Sequence, residues 1–476
     1  MTGADQSTNI KVTSCTLTEL FRVAENAIGD GNNKIQGQLT IPEYQRPYQW
    51  GAEEVHKLVK DLTNYFQKKE KNEKPMYYLG SVILHQQGEA LNIIDGQQRI
   101  TTMALISKYA NQNCPAIRYK SPISLSNINN NYQSLNDKIV DLKDIDASKI
   151  NLTLIVTENE DDAYTFFETQ NTGGIRLSGV DIIKAHHLRT FKNEHQRSHY
   201  ALLWEKQKSI NLVIFYLLKA RRWGLLKWQD VPHHKEELKI KHAVIEEFSG
   251  EEKEEGKEGK AYQTVAFAST PDGFQVQYPQ YRFFIRQPLV KGQNFIEYLE
   301  SFCDIYRRLF INQEDKEIRQ EFYTFNKELI SRVDGTAYLK EFFEVAMLCY
   351  VHRFGVMHIL EAAFWIFRFS YSIRVTQKKT VRESSIRAFI RKEDINGRKQ
   401  SLFDYILQGV CHEQVIFDLK NFKYEPNSDN TKGNTVKKRF VDNVFNYFYK
   451  DKKESDGDIS KFDEELIKGI NDKLKP

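Results

Sequence analysis

The stretch LNIIDGQQRITT, at residues 91–102, decides the fold of the N-terminal part of this chain. It opens on a mostly apolar run that ends in two β-branched isoleucines, which predicts a short buried strand. Asp95 and Gly96 predict a tight turn, because glycine adopts backbone angles that other residues avoid. Apolar residues then recur at helical spacing, so a helix begins near Gln97–Arg99. The segment is expected to run from strand through turn into a helix N-terminus.

This turn concentrates groups that bind anions. The first amides of a helix have no partners within it and its dipole is positive there, which suits a phosphate. Arg99 would add a forked cation, and Thr101 and Thr102 would add hydroxyl donors. Asp95 beside an anion site fits a role in holding Mg²⁺, positioning water or binding a ribose hydroxyl. The alternative is structural: Asp95 caps the helix and Arg99 pairs with a nearby carboxylate.

A second cluster, IPEYQRPYQW at residues 41–50, carries three aromatic rings and an arginine. Its two prolines exclude a helix, so the segment is extended or looped. Flat rings beside a guanidinium are what a nucleobase or sugar stacks on. The candidate residues are Tyr44, Gln45, Arg46, Tyr48 and Trp50. The alternative is an ordered loop whose rings fill a gap between elements.

Two further segments carry candidate ligands. A predicted strand at residues 77–84 turns at residues 86–88 into the strand before Asp95, and the two form a hairpin. Gly80 inside the first of these strands indicates close approach of a ligand or of backbone. A polar glycine loop contains Asn171, Thr172 and Gly173, whose amides and side chains can donate to phosphates, and Lys184 on the next predicted helix can approach as a point charge. A plain helix–loop–helix corner explains the loop equally well. The Asn-rich residues 114–148 predict an irregular excursion.

Length and composition limit the class of protein. A chain of 476 residues with 40% hydrophobic side chains suits two or three packed domains. Its five scattered cysteines, without a Cys-x-x-Cys pair, argue against a disulfide scaffold and a thiolate zinc site. Residues 1–30 lack a signal-peptide pattern, and charges interrupt the most apolar tract at 342–369. We therefore expect a soluble, cytoplasmic protein.

The overall charge of +4 is mildly basic, and residues 374–399 concentrate it with nine Lys/Arg against three Asp/Glu. This segment is the strongest candidate surface for nucleic acid, although a solvated basic face is an equally good explanation. Its candidate side chains are Arg374, Lys378, Lys379, Arg382, Arg387, Arg391 and Lys392. His195 and His199 have the i,i+4 spacing of a metal-binding pair, but a solvated helix face explains them better because no third ligand is nearby.

Taken in order, the blocks at 41–50, 95–102 and 166–184 resemble the GmrS-like N-terminal domain family of GmrSD type IV, modification-dependent restriction systems. The resemblance implies a ParB/sulfiredoxin-like α+β domain over residues 1–195. A mainly α-helical domain, with a charged loop near 246–260, is expected over residues 196–476.

The resemblance also implies that the first domain binds and hydrolyses a nucleoside triphosphate with Mg²⁺, in defence against phage or modified foreign DNA. In such a site Asp95 would handle metal or water, and Gln97 and Gln98 would orient ligand or water. Arg99, the backbone at Gly96 and the two threonines would bind phosphates. The 41–50 segment would wall the base or sugar.

Many relatives in this family carry an HNH nuclease, which needs one histidine to activate water and further ligands for its metal. Here only His412 follows His358, so a separate nuclease subunit is the expected partner besides DNA. Two other functions stay open: a ParB-like nuclease that cleaves DNA at the Asp95/Arg99 turn, and a non-enzymatic DNA-binding sensor. The oligomeric state is also open.

Overall fold

The computed structural model describes residues 10–29, 31, 34–67, 76–137, 142, 145–160, 162–163, 166, 179–223, 233–250, 262–269, 275–331, 336–378, 381–392, 401–449 and 458–475. The chain forms two compact units, Met1–Lys206 and Gln207–Pro476. The first mixes a sheet with helices and the second is mostly helical, so the predicted α+β domain followed by helices is confirmed at the level of fold class.

The first unit is built on a five-stranded mixed sheet with the order β1-β5-β3-β4-β2. Its strands are β1 Ile10–Thr16, β2 Gln38–Thr40, β3 Tyr77–Gln87, β4 Ala90–Asp95 and β5 Ile150–Thr157. Strand β3 pairs antiparallel with β4, as expected of the predicted hairpin, and parallel with β5. Strand β1 runs antiparallel to β5, and β2 runs parallel to β4. The turn at Asp95 therefore follows a hairpin that lies near the middle of the sheet.

The helices of this unit are α1 Leu17–Phe21, α2 Ala52–Gln67, α3 Gln97–Tyr109, α4 Pro122–Asp137, α5 Gly179–Leu188 and α6 Glu194–Lys206. Helix α3 begins at Gln97, as predicted, and is buried over most of its length. Gly96 precedes it with a φ of 93°, and a Cβ there would lie 2.9 Å from Val82 Cγ2. Backbone angle and lack of space both require glycine at this turn.

The prediction of an irregular excursion at residues 114–148 is wrong for its central part, because 16 of these residues form helix α4. This helix packs against α2 and α3, and Ile128, Tyr132 and Leu135 contact the core with helical spacing. The asparagines obscured this pattern in the sequence, because Asn is a weak helix former in isolation. In the structure, Asn127 and Asn131 make tertiary hydrogen bonds that override this low helix propensity.

In the described part of the second unit, helices pack together with one hairpin, formed by β6 Tyr262–Ser269 and β7 Gln275–Arg282. Its helices are α7 Ile210–Arg222, α8 His233–Phe248, α9 Gln293–Tyr306, α10 Gln320–Phe325, α11 Ala337–Phe354, α12 Ile359–Thr376, α13 Glu383–Lys392, α14 Leu402–Gln408, α15 His412–Asn421, α16 Val436–Phe448 and α17 Phe462–Leu474. Helices α11 and α12 are buried almost throughout and form its centre. No helix among the described residues is long and apolar enough to cross a membrane.

Candidate functional site

Arg99 is bound to the backbone of β3. Its Nη1 donates to Leu79 O at 2.9 Å and its Nη2 to Ser81 O at 2.8 Å, with Asp95 Oδ2 at 3.4 Å from Nη2. The guanidinium passes over Gly80, where a Cβ would overlap Nη1. The close approach predicted at Gly80 therefore involves Arg99. Since this arginine already serves two carbonyls, it acts in this structure as a clamp between α3 and the sheet.

Gln98 clamps the aromatic segment at residues 41–50. Its Oε1 accepts from Gln49 N at 2.9 Å and from Trp50 N at 3.2 Å, and its Nε2 donates to Pro47 O at 3.2 Å. The side chain is buried, at 7% exposure. Oε1 accepts two hydrogen bonds and Nε2 donates one of its two N–H groups to the segment's backbone, so Gln98 positions the segment.

The two threonines and Tyr48 belong to the same buried network. Thr102 Oγ1 donates to Gln98 O at 2.9 Å and lies 2.9 Å from the hydroxyl of Tyr48. Tyr119 donates to Thr101 Oγ1 at 2.8 Å. The ring of Tyr48 has no exposed area and lies in the core, which offers no face for a base to stack on. Burial raises the pKa of both tyrosines, so the network holds neutral hydroxyls.

Helix α4 supplies contacts that the sequence did not reveal. Asn127 Nδ2 donates to Tyr48 O at 2.8 Å, Asn131 Nδ2 donates to Trp50 O at 2.6 Å, and Ser124 Oγ accepts from Tyr48 N at 2.9 Å. These three residues have the i, i+3, i+7 spacing of one helix face, and that spacing is the signal that could have found them. The aromatic segment is thus fixed from two sides, by α3 and by α4.

An inner pocket opens where this fixed segment leaves the core. It measures about 130 Å³, and its lining includes Gln45, Arg46, Gln97, Ser124 and Glu205. The buried amide nitrogens of Gln45 and Gln97 have no hydrogen-bond partner among the described residues. Arg46, which is partly exposed, makes no hydrogen bond or ion pair with any residue that the structure describes. Unlike Arg99 and Gln98, these three side chains have donors that no described residue occupies.

An outer pocket of about 440 Å³ adjoins the inner one and shares the lining residues Ile41, Pro42, Glu43 and Lys120. Its further lining includes basic Arg118, Lys192 and Arg197, acidic Glu160 and Glu194, and the ring of Tyr44. Burial and the nearby Glu160 charge raise the pKa of the Tyr44 hydroxyl, which stays protonated. The pocket combines cations with hydrogen-bonding groups, as a phosphorylated ligand would require.

Lys120 stands between the pockets and is held by two carboxylates. Its Nζ lies 2.9 Å from Glu43 Oε1 and 2.6 Å from Glu194 Oε1. Partial burial lowers the pKa of Lys120, but its hydrogen bonds to Glu194 and Glu43 outweigh burial and raise it. Glu43 Oε2 has no partner among the described residues. A paired ammonium and one carboxylate oxygen without a described partner thus lie where the pockets meet.

Lys184 lies behind the inner pocket and is buried. Its Nζ donates to Gln45 O at 3.3 Å and to Glu205 Oε1 at 3.0 Å, while Ser121 Oγ donates to Glu205 Oε2 at 2.5 Å. The predicted point charge is therefore paired with a carboxylate, and it fixes the backbone beside Gln45. The other residues of this block, Asn171, Thr172 and Gly173, lie outside the described residues.

Asp95 keeps a partly exposed carboxylate at the turn, with 25% of its side chain accessible. In the described part of the chain it is not joined by two more acidic, His or Cys ligands within reach of one ion. Mg²⁺ is commonly bound by one or two carboxylates together with phosphates and water, so a single Asp fits an ion that arrives with a nucleotide. It does not fit a resident metal centre.

The candidate side chains of the basic segment that the structure describes differ in exposure. Arg374 lies in the last turn of α12 with 5% of its surface exposed, and burial lowers its pKa. The prediction that Arg374 belongs to a nucleic-acid-binding face is therefore wrong. Lys378 is exposed and pairs with Asp429 at 3.3 Å, and Arg382 is exposed. Lys379 lies outside the described residues, as do the side chains of Arg387, Arg391 and Lys392 on α13.

Two family models match this chain. Residues 27–188 match the GmrSD restriction endonuclease, N-terminal domain, which confirms the resemblance inferred from the three sequence blocks. Residues 196–435, about half of the chain, match a family of unknown function, DUF7834. A search of curated proteins gave no match. The chain belongs to the DUF7834 family, and ahead of that region it carries the N-terminal domain of GmrSD restriction endonucleases.

Proposed function

We propose that the first unit binds a nucleoside triphosphate in the inner and outer pockets and hydrolyses it with Mg²⁺, as a component of a restriction system that acts on foreign or modified DNA. The GmrSD match supports the restriction system and DNA as a partner. We further propose the ParB/sulfiredoxin-like fold for this unit and a separate subunit for DNA cleavage. The observation that carries the nucleotide site is the set of donors on Gln45, Arg46 and Gln97 at one pocket.

This proposal assigns the ligand contacts differently from the sequence motif. Arg99, Thr101 and Thr102 serve internal partners, so the phosphates would be bound by Arg46 with Arg118 and Lys120 at the pocket rims. The amides of Gln45 and Gln97 would donate to ligand oxygens or orient a water. Bound Mg²⁺ would neutralise phosphate charge, and Asp95, two residues before Gln97, would hold that ion.

The test is calorimetric titration of the full chain with ATP, GTP, CTP and UTP in the presence of Mg²⁺. We expect Arg46→Ala to weaken binding of the preferred nucleotide by about tenfold or more, because a charge-assisted hydrogen bond contributes about 1.5–3 kcal/mol. Arg22→Ala is the matched control, since Arg22 is an exposed arginine of the same unit that lies outside both pockets. Phosphate release then separates a hydrolase from a sensor.

Two outcomes would overturn the nucleotide site. One is that no nucleotide binds to the wild-type chain, with or without DNA. The other is that Arg46→Ala binds as tightly as the Arg22→Ala control, in which case the pocket is not where the nucleotide lies.

Substitutions of the adjacent residues Gln97 and Gln98 should have different effects, the first on nucleotide binding and the second on the stability of the unit. Gln97→Ala is expected to weaken nucleotide binding and to leave the thermal midpoint nearly unchanged, because its Nε2 has no described partner. Gln98→Ala is expected to destabilise the unit by about 2–4 kcal/mol, because Gln49 N, Trp50 N and Pro47 O lose their partner together. Thermal unfolding and titration of both variants measure this, and equal loss of stability in the two would contradict the assignment.

A further inference from the structure

The second unit contains a group of side chains of the types that bind metals, at positions far in sequence from the proposed nucleotide site. His358 is the N-cap of α12, Glu361 lies in the first turn of that helix, and His412 is the first residue of α15. One ligand atom from each lies within 4.8 Å of the others. Among the described residues, no other group of three or more His, Cys, Asp or Glu side chains lies within reach of a single ion.

A further contact orients His412 for binding. The hydroxyl of Tyr350 lies 2.6 Å from His412 Nδ1, and His412 Nε2 lies 3.3 Å from Glu361 Oε2. A histidine ligand usually has its second ring nitrogen fixed by a hydrogen bond of this kind, which sets the ring orientation and leaves the other nitrogen for the metal. Binding an ion at Nε2 requires the tautomer in which Nδ1–H donates to the Tyr350 hydroxyl, so that Nε2 presents its lone pair to the ion.

Glu361 is oriented as well. Its Oε1 accepts from Lys420 Nζ at 2.9 Å, which leaves Oε2 directed at the histidine. An ion pair that joins α12 to α15 would account for Glu361, His412 and Lys420, but it gives no role to His358. His358 is exposed, and its ring stacks on that of His412 with centroids 4.4 Å apart and planes 9° apart. A metal site, unlike an ion pair, would give this second imidazole a role as a ligand.

The charges around the group favour a cation. Glu361 and Glu413 contribute two carboxylates near the two imidazoles, and Lys420 contributes one ammonium. The N-termini of α12 and α15 oppose a cation through their dipoles, but that effect is modest at a surface and coordination by nitrogen exceeds it. The imidazoles also select the type of ion: nitrogen ligands suit zinc and its neighbours, whereas Mg²⁺ prefers oxygen.

We propose that His358, Glu361 and His412 bind one divalent transition-metal ion of the zinc class, with a coordination position open to solvent. Three protein ligands with a free position are typical of catalytic zinc sites, whereas structural sites have four. The site lies inside the region that matches the family of unknown function, and it shares no residue with the proposed nucleotide site.

Closing the site requires a small movement of His358. With metal–ligand distances of about 2.0–2.2 Å, ligand atoms of a tetrahedral site lie about 3.3–3.6 Å apart. The three atoms now lie within 4.8 Å of one another, so the site must close by up to about an ångström. A metal lies in the plane of each imidazole that binds it, so His358 must also tilt out of its stack on His412. The exposed side chain can do this by rotation about its χ angles.

The experiment is titration of the untagged, metal-stripped full chain with Zn²⁺ by calorimetry, and with Co²⁺ followed by its visible d–d absorption. We expect one high-affinity ion per chain. His358→Ala should weaken Zn²⁺ binding at least tenfold without unfolding the protein, because its side chain is exposed. Tyr350→Phe, which keeps the ring and removes the hydroxyl, should weaken binding about 10–100-fold through the lost orientation of His412.

Two controls identify the ligands. His195→Ala/His199→Ala removes the exposed i,i+4 pair on α6, the rival metal-binding pair, and should bind Zn²⁺ like the wild type. Cys411→Ser removes the exposed thiol next to His412 and should also bind normally. Loss of the ion in either control, unchanged affinity in His358→Ala, or absence of stoichiometric Zn²⁺ binding to the wild type would overturn the proposal.

Discussion

Gly80→Ala is expected to destabilise the first unit by about 2–5 kcal/mol, as the sum of backbone strain and steric overlap. Gly80 has a φ of 117°, where a side chain is unfavourable, and its Cβ would occupy the place of Arg99 Nη1. The overlap cannot be relieved cheaply, because moving Arg99 breaks its hydrogen bonds to Leu79 O and Ser81 O. One added methyl group therefore disturbs both the backbone at Gly80 and the hydrogen bonds of Arg99.

Arg99→Ala alone is expected to cost about 2–4 kcal/mol, because two strand carbonyls lose their charged donor. In the double variant Gly80→Ala/Arg99→Ala the overlap is absent, so the second substitution should add only the backbone strain. The double variant is then less destabilised than the sum of the single ones, with a coupling of about 1–3 kcal/mol. Hydrogen exchange of peptides from β3 and β4 in the full chain measures this locally, which avoids assuming two-state unfolding of both units.

Gly88→Ala is the matched control for this cycle. Gly88 also has a positive φ, of 61°, but a Cβ there would meet no atom within 4 Å. It should show the strain without the overlap, at about 1 kcal/mol, and should be independent of Arg99. If Gly80→Ala costs the same with and without Arg99, the guanidinium does not lie over Gly80 and the clamp is wrong.

The elements around Asp95 could be predicted because their signals are local. Hydrophobic periodicity, a glycine at a turn and a break in the pattern are properties of neighbouring residues, and they gave the hairpin and the start of α3 correctly. Helix α4 was missed because its polar residues read as a loop. Their partners, the backbone of Tyr48 and Trp50, are distant in sequence, so only the folded chain shows why asparagine stands there.

The roles of the polar residues could not be read from the motif for a related physical reason. A helix N-terminus with an arginine and two threonines provides the same donors whether their acceptors are phosphates or carbonyls of the neighbouring strand. The structure gives Arg99 and Thr101 internal partners, and it leaves donors on Arg46 and Gln97 instead. Counting charges in a linear window has the same limitation, as buried Arg374 demonstrates.

Lys184→Met is expected to destabilise the first unit by about 3–5 kcal/mol, because it leaves the Glu205 carboxylate buried without its cation. The side chains of Lys184 and Glu205 are 3% and 9% exposed, so water replaces little of the lost interaction. The hydrogen bond to Gln45 O is lost as well, which loosens the backbone of the inner pocket. Nucleotide affinity should therefore fall together with stability.

The double variant Lys184→Met/Glu205→Leu separates these two effects. Removing both charges eliminates the unpaired carboxylate, and apolar replacements of a buried pair are often close to neutral, so most of the stability should return. Gln45 O still lacks its donor, so we expect nucleotide affinity to stay below that of the wild type. Lys206→Met, an exposed lysine on the same helix as Glu205, should change stability by less than about 0.5 kcal/mol. If the double variant is no more stable than Lys184→Met, the buried pair is not the source of the loss. Normal affinity in the double variant would instead show that Lys184 does not position the aromatic segment.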